Sequence, residues 1–192
     1  MKTKISLLFF LFLFVVHAQA QYVNFKLQKD GSFIAEDGKN YVVIDYEGKT
    51  ASELYSMVKS NVMNVYNNPE HVMSENKPTK ITIDALTGQI SFRYNPFGGG
   101  FVSYSAYYKY IFQFKDGRIR VDAPIVKQDL KVSSAGAAYG KTFVELIDGW
   151  FDKEGKVKQR KKEDVEEMEN IFVLPINYLL GNINTNSSDD DW

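Results

Sequence analysis

The sequence predicts an α+β fold: a strand, a helix, a four-stranded antiparallel meander and a further helix, with the helices on one face of the sheet. Three observations predict it. Apolar residues alternate with polar ones through successive runs between residues 80 and 123, the period of a half-buried strand. Residues 50–66 carry a strong helix start followed by an apolar stripe at helical spacing. Asp116-Gly117, set between two of the alternating runs, is a strong hairpin signal.

Each element follows in order. Residues 21–40 form a polar N-terminal segment in which Asp30-Gly31 and Asp37-Gly38 mark turns. Residues 41–46 are dense in β-branched and aromatic side chains and read as a strand. Thr50 and Glu53 then form a capping box, the threonine capping the helix and the glutamate reaching back to it. Leu54, Val58, Val62 and Val65 give one stripe on a helix over residues 51–66. Asn67-Asn68-Pro69 ends that helix.

In the meander, Ile81, Ile83 and Ala85 alternate with Thr82 and Asp84, and Thr87-Gly88 reads as a tight turn. Ile90, Phe92 and Tyr94 follow on the return strand, and the loop 95–101 leads to a long strand over 103–114. Tyr108, Tyr110, Phe112 and Phe114 form the heavy face of that strand, and Tyr107, Lys109, Ile111 and Gln113 the other. Residues 118–123 return with Ile119 and Val121 on the apolar side. A sheet with one apolar face needs a cover, and the helix beginning after Thr50 has the stripe to supply it. Residues 133–140 read as a loop, and 143–151 fit either a strand or a short helix. The acidic run 163–169 suits the first turns of a helix whose buried face is Val165, Met168, Phe172, Leu179 and Leu180. Pro175 is expected to kink or split it near Leu174.

The organisation expected is a signal peptide at 1–20, an N-terminal segment at 21–40, an α+β domain at 41–125, a C-terminal extension with a helix at 126–182 and an acidic tail at 183–192. Lys2 and Lys4 precede an almost unbroken apolar run over 5–16, and Ala18-Gln19-Ala20 has the small residues that signal peptidase accepts. The run is shorter than the roughly 20 residues of a membrane span. Cleavage after Ala20 therefore leaves no transmembrane anchor, and the protein is expected in the periplasm, the cell envelope or the medium.

Composition then narrows the function. Without Lys2 and Lys4 the basic residues fall from 23 to 21, against 24 acids, which opposes nucleic-acid binding. There is no cysteine, and His17 lies in the signal, leaving His71 as the one histidine of the mature chain. Cys–His catalysis, zinc cages and His-pair metal sites are thus out of reach of one chain. No cofactor and no metal are expected. Gly140-Lys141-Thr142 has the tail of a phosphate loop, but its leading glycine position holds Ala135; for Gly48-Lys49-Thr50 that position holds Val43.

Two groups of residues are candidates for binding. Arg93, Arg118 and Arg120 fall on the solvent face of the sheet with Lys109, where guanidinium forks can take carboxylate or phosphate groups of an anionic peptide, glycan or protein. Asp84 and Asp122 share the face and can neutralise these cations, so a solvated, salt-bridged surface is the plainer account. Phe97, Gly98, Gly99, Gly100 and Phe101 form a glycine-rich tip with aromatic flanks, suited to closing over a ligand, or simply a permissive connection. No catalytic residue stands out, and the acids of the 163–169 cluster are most simply a helix surface. The function expected is an exported, non-enzymatic binding module. The alternatives are a carboxylate-dependent hydrolase of envelope glycans and a structural or assembly subunit.

Residues 41–125 also resemble a family of exported Gram-negative bacterial proteins of unknown function with a TATA-binding-protein-like (TBP-like) fold. The resemblance lies in Gly48-Lys49-Thr50-Ala51-Ser52-Glu53-Leu54-Tyr55, which opens the helix, and in Phe112-Gln113-Phe114-Lys115-Asp116-Gly117-Arg118-Ile119-Arg120. It implies the strand–helix–four-strand–helix unit and brings no activity, catalytic residue or cofactor. DNA binding does not follow from the fold name, since one fold hosts many functions.

Overall fold

Period-two patterning becomes one seven-stranded antiparallel sheet built around a single long strand. The structure, a computed structural model, describes residues 22–93, 101–132 and 142–182; of residues 92, 93, 101, 102 and 128–132 it describes the main chain alone. The expected signal at 1–20, Phe97 and the three glycines of the candidate loop, and the tail at 183–192 lie outside the described residues.

The strands are β1 (Lys26–Leu27), β2 (Phe33–Ile34), β3 (Tyr41–Asp45), β4 (Met73–Asn76), β5 (Lys80–Leu86), β6 (Ile90–Arg93), β7 (Phe101–Lys115), β8 (Arg118–Asp122) and β9 (Ile125–Val132). The helices are α1 (Ala51–Val65), α2 (Pro69–Val72), α3 (Phe143–Ile147) and α4 (Lys162–Leu179). The main sheet runs β3-β8-β7-β5-β4, with β6 and β9 also paired to β7, while β1 and β2 form a separate hairpin.

The expected α+β class stands, but the meander is rearranged. Thr87-Gly88 makes no hairpin: β5 and β6 both pair antiparallel with the same side of β7, as one strand interrupted at residues 87–89. The pairing passes from Leu86 opposite Tyr107 to Ile90 opposite Tyr104, so three residues face two. That is a bulge. Thr87 holds it in the ladder, its N–H donating to the Ala106 carbonyl at 3.0 Å and its Oγ1 accepting from the Ala106 N–H at 3.0 Å. A two-residue hairpin needs positive φ in its turn, and neither Thr87 nor Gly88 adopts it. The extra residue shifts the alternation by one, which makes a single broken strand look like two.

The same device recurs on the far side of β7. β8 and β9 run on in one direction across Ala123-Pro124, and β9 was not expected from the sequence. Pro124 has no N–H to give to a ladder, so it sits where pairing is interrupted. β4, the hairpin partner of β5, was likewise not foreseen.

Local signals fare better than pairings. The capping box of α1 forms: Thr50 Oγ1 accepts from the Glu53 N–H and Glu53 accepts from the Thr50 N–H at 2.8 Å. Asp116-Gly117 turns from β7 to β8, Gly117 at φ 75°. Asp116 also accepts from the Ala51 N–H at 2.8 Å, tying that turn to the start of α1. Leu54, Val58 and Val62 are buried as expected, with Tyr55 added, but Val65 at the end of the helix is 49% exposed.

The helices α1, α3 and α4 pack on one face of the sheet. Phe172 of α4 is the hub, with ring contacts to Phe33, Tyr108 and Phe143 at 5.6, 6.1 and 5.9 Å. Residues 143–151 resolve into α3 and one 3₁₀ turn, and α3 starts on a second capping box, Thr142 with Glu145. α4 runs unbroken through Pro175, against expectation. An interior proline costs about 3 kcal/mol. Beyond it, Ile176, Leu179 and Leu180 are buried at about 1.5–3 kcal/mol each, so continuing the helix wins.

The polar N-terminal segment is part of the core. Val23, Phe25, Leu27 and Phe33 are at most 3% exposed and belong to the same cluster as the sheet and α4. Two polar residues of α4 hold it. Asn177, fully buried, accepts from the Val23 N–H and donates to the Val23 carbonyl, both at 2.9 Å. Glu169, 9% exposed, accepts from the Leu27 N–H and from Lys26 Nζ, each at 3.0 Å. Eight helical residues rise about 12 Å, close to the roughly 13 Å spanned by four extended ones. α4 thus stands in for a missing strand. Glu169 was expected on a helix surface; it is buried because it has two partners to satisfy.

Candidate functional site

Two surfaces of the sheet carry candidate binding features: the face opposite the helices and the β3 edge. On the uncovered face, Arg118, Arg120, Lys109 and the Cα position of Arg93 do share one side, as the alternation predicts. They are not gathered there. Arg118 lies opposite Lys115 and Arg93 opposite Phe101, the two ends of β7. At about 3.3 Å per residue these ends are roughly 46 Å apart, with Lys109 between them.

Two of the four candidate cations, Arg120 and Lys109, are also engaged by carboxylates. Arg120 Nε is 2.7 Å from Asp122 Oδ1, and its guanidinium lies 4.0 Å from the centre of the Tyr41 ring. Asp84 faces Lys109 at 3.4 Å and Lys127 at 3.2 Å, and Lys127 also stands over Tyr107. Asp84 and Asp122 therefore do what their places on the face allow. Lys127, on β9, entered this cluster only because β9 pairs with β7.

The β3 edge differs in kind. β3 ends the strand order and pairs with β8 alone. Bonds from the Ala123 N–H to the Asn40 carbonyl and from the Tyr46 N–H to the Gly117 carbonyl set the phase. In an antiparallel ladder alternate residues bond to the partner, so Asn40, Val42, Ile44 and Tyr46 face β8. Tyr41, Val43 and Asp45 turn their N–H and C=O groups outward, where the described residues supply no partner.

That edge opens into a groove of about 1170 Å³ between β3, the N-terminal segment and α4. Tyr41, Val42 and Val43 form its strand side; Val173, Leu174 and Asn170 line the α4 wall. The groove wall mixes apolar and acidic groups. Lys26 is tied to Glu169 and Lys39 to Asp37. Glu36 receives a hydrogen bond from Asn24 at 3.1 Å, and neither Glu36 nor Glu166 has an ion pair among the described residues. Lys162 is exposed at one end of the groove.

Other titratable groups are built into the scaffold. His71 is exposed in the short helix α2. Among the described residues no cluster of three His, Cys, Asp or Glu side chains is placed to hold a metal, and no helix is long and apolar enough to cross a membrane.

Sequence reasoning missed the groove because its walls come from three distant segments. One signal was present: Glu169 falls four residues after Val165 and three before Phe172, on the apolar stripe itself. An acid at such a position marks a buried partner. Away from the groove, Thr142-x-x-Glu145 was a missed capping box, hidden behind the phosphate-loop resemblance of residues 140–142.

No family model and no curated protein matches the chain. Two solved structures are similar to it. One is a TBP-like protein from Parabacteroides distasonis, at a TM-score of 0.41 and 12% identity, covering 74% of this chain and 86% of that one. The other is a DUF4468 family protein from Bacteroides ovatus, at a TM-score of 0.47 and 10% identity, covering 81% of this chain and 90% of that one.

Proposed function

We propose that this protein is an exported, non-enzymatic binding module of the bacterial periplasm or cell envelope, and that it holds a peptide or protein partner in the groove beside β3. One observation carries the reading: main-chain groups of an edge strand, without a partner among the described residues, border a groove with apolar lining. Exposed edges invite strand pairing, and natural proteins usually blunt them with Lys, Pro or short strands. The opposite edge follows that rule, since β4 is four residues long and is followed by Lys77-Pro78 and Lys80. β3 has neither Lys nor Pro. Export rests on the pattern of residues 1–20. An anionic ligand on the outer face has less support, because Arg120 and Lys109 already face carboxylates.

Photo-crosslinking in expressing cells tests this. A crosslinking side chain at Asn170, exposed on the groove wall, should capture an envelope partner, while one at Lys109 on the outer face should not. Capture from Lys109 alone moves the site to the outer face, and capture from neither position ends the binding reading. Mass spectrometry of the same protein should find Gln21 as the first residue; a chain that keeps Met1 removes the export part.

A further inference from the structure

Resting on that reading, we infer that the groove takes an extended, basic segment of a partner protein, added to β3 as a new edge strand. The strand part follows from the edge. Within the groove Tyr41 and Val43 together offer two N–H and two C=O groups pointing away from β8, and only an extended chain matches that spacing. The groove borders Tyr41, Val42 and Val43 of β3, a stretch of about 10 Å of extended chain. Side chains of such a strand alternate between the two faces of the sheet. One set lies toward Leu174 and Val173 under α4, the other beside Val43 and Tyr41.

The charge follows from what is left after pairing. Lys26 and Lys39 are neutralised by Glu169 and Asp37, whereas Glu36 on the N-terminal segment and Glu166 on α4 have no ion pair among the described residues. Lys162 offsets one of these two. On the adjoining face of the same helix, Glu163 and Glu167 line a second depression together with Glu166. A segment with Lys or Arg on its α4-facing side completes these pairs. A second copy of this chain would bring another Glu36 and Glu166 to the same place, and an acidic segment would be repelled.

The test uses three capped synthetic peptides of about nine residues, alternating Val with Lys, with Glu or with Ser. Binding to the mature protein is measured by fluorescence anisotropy at low and high salt, and hydrogen exchange is followed at Tyr41 and Val43. The Val/Lys peptide should bind at least about tenfold tighter than the Val/Glu peptide, the worth of one good charge pair, and should weaken as salt rises. Glu166→Lys should reverse that order. N-methylating alternate residues of the Val/Lys peptide should abolish binding, since it removes the strand's donors. Equal binding of all three peptides, with slowed exchange at Tyr41 and Val43, overturns the basic preference and leaves the groove reading intact. Binding with no slowing at those amides overturns strand addition. A protein already dimeric in sedimentation, with both amides protected, assigns the edge to a second copy and overturns the proposal.

Discussion

Glu75 shows a surface acid tied into the scaffold by its neighbours. It accepts a hydrogen bond from the Tyr55 hydroxyl and lies 3.0 Å from both Lys59 and Lys77. The Tyr55 hydrogen bond first, then the two lysines, hold its carboxyl at about 2, against an ordinary value of 4.5. Burial, with Glu75 beside it, pushes the Tyr55 hydroxyl up to about 12. A depressed carboxyl stabilises the fold above its ordinary value, and that contribution is lost as pH falls from about 4.5 toward 2. Glu75→Gln should therefore flatten the urea-midpoint profile in that window and lower the midpoint at neutral pH. A profile as steep as wild type would assign the acid limb to other carboxylates. Nothing in the sequence flagged Glu75, because its partners come from α1 and from the β4–β5 turn. Arg120 and Asp122 were legible, being two apart on one strand and so on one face.

At the scale of elements, the clearest device is the clip between α4 and the N-terminal segment. Asn177→Ala leaves the Val23 N–H and C=O buried without partners. It should cost about 2–5 kcal/mol, read as a lower denaturation midpoint. Asn170→Ala, on the exposed side of the same helix, should stay within about 0.5 kcal/mol of wild type. Equal effects would mean that the clip is dispensable. Elements bounded by local chemistry were legible: α1 by its capping box, the β7–β8 turn by Asp116-Gly117, and the buried face of α4 by Val165, Met168 and Phe172. Elements whose limits depend on a distant partner were not. The break between β5 and β6 reads as a hairpin until β7 is seen pairing with both, and Pro175 reads as a helix end until the burial of Ile176 and Leu179 is counted.

For the whole molecule, the segment before β3 is a structural requirement. Val23, Phe25, Leu27 and Phe33 contribute about 1.5–3 kcal/mol apiece by burial. Together that is comparable to the roughly 5–15 kcal/mol by which a domain is stable. A chain beginning at Tyr41 should accordingly lose its cooperative thermal transition in circular dichroism. A sharp transition near that of the full mature chain would show that residues 41–182 fold alone. The same segment forms one wall of the candidate groove, so removing it should also remove binding.

By itself the sequence determined the α+β class, the single covered face, the cap and stripe of α1 and the apolar side of β7. All of these are read from spacings of four residues or fewer, or from one contiguous run. Only the tertiary structure decided which strands share an edge, that β3 is left open, and that Glu169 and Asn177 bind main chain more than 140 residues away. Pairing across such distances depends on register, and a one-residue bulge resets register while each flanking run keeps the alternation of an ordinary strand. The groove exists only where three such distant segments meet.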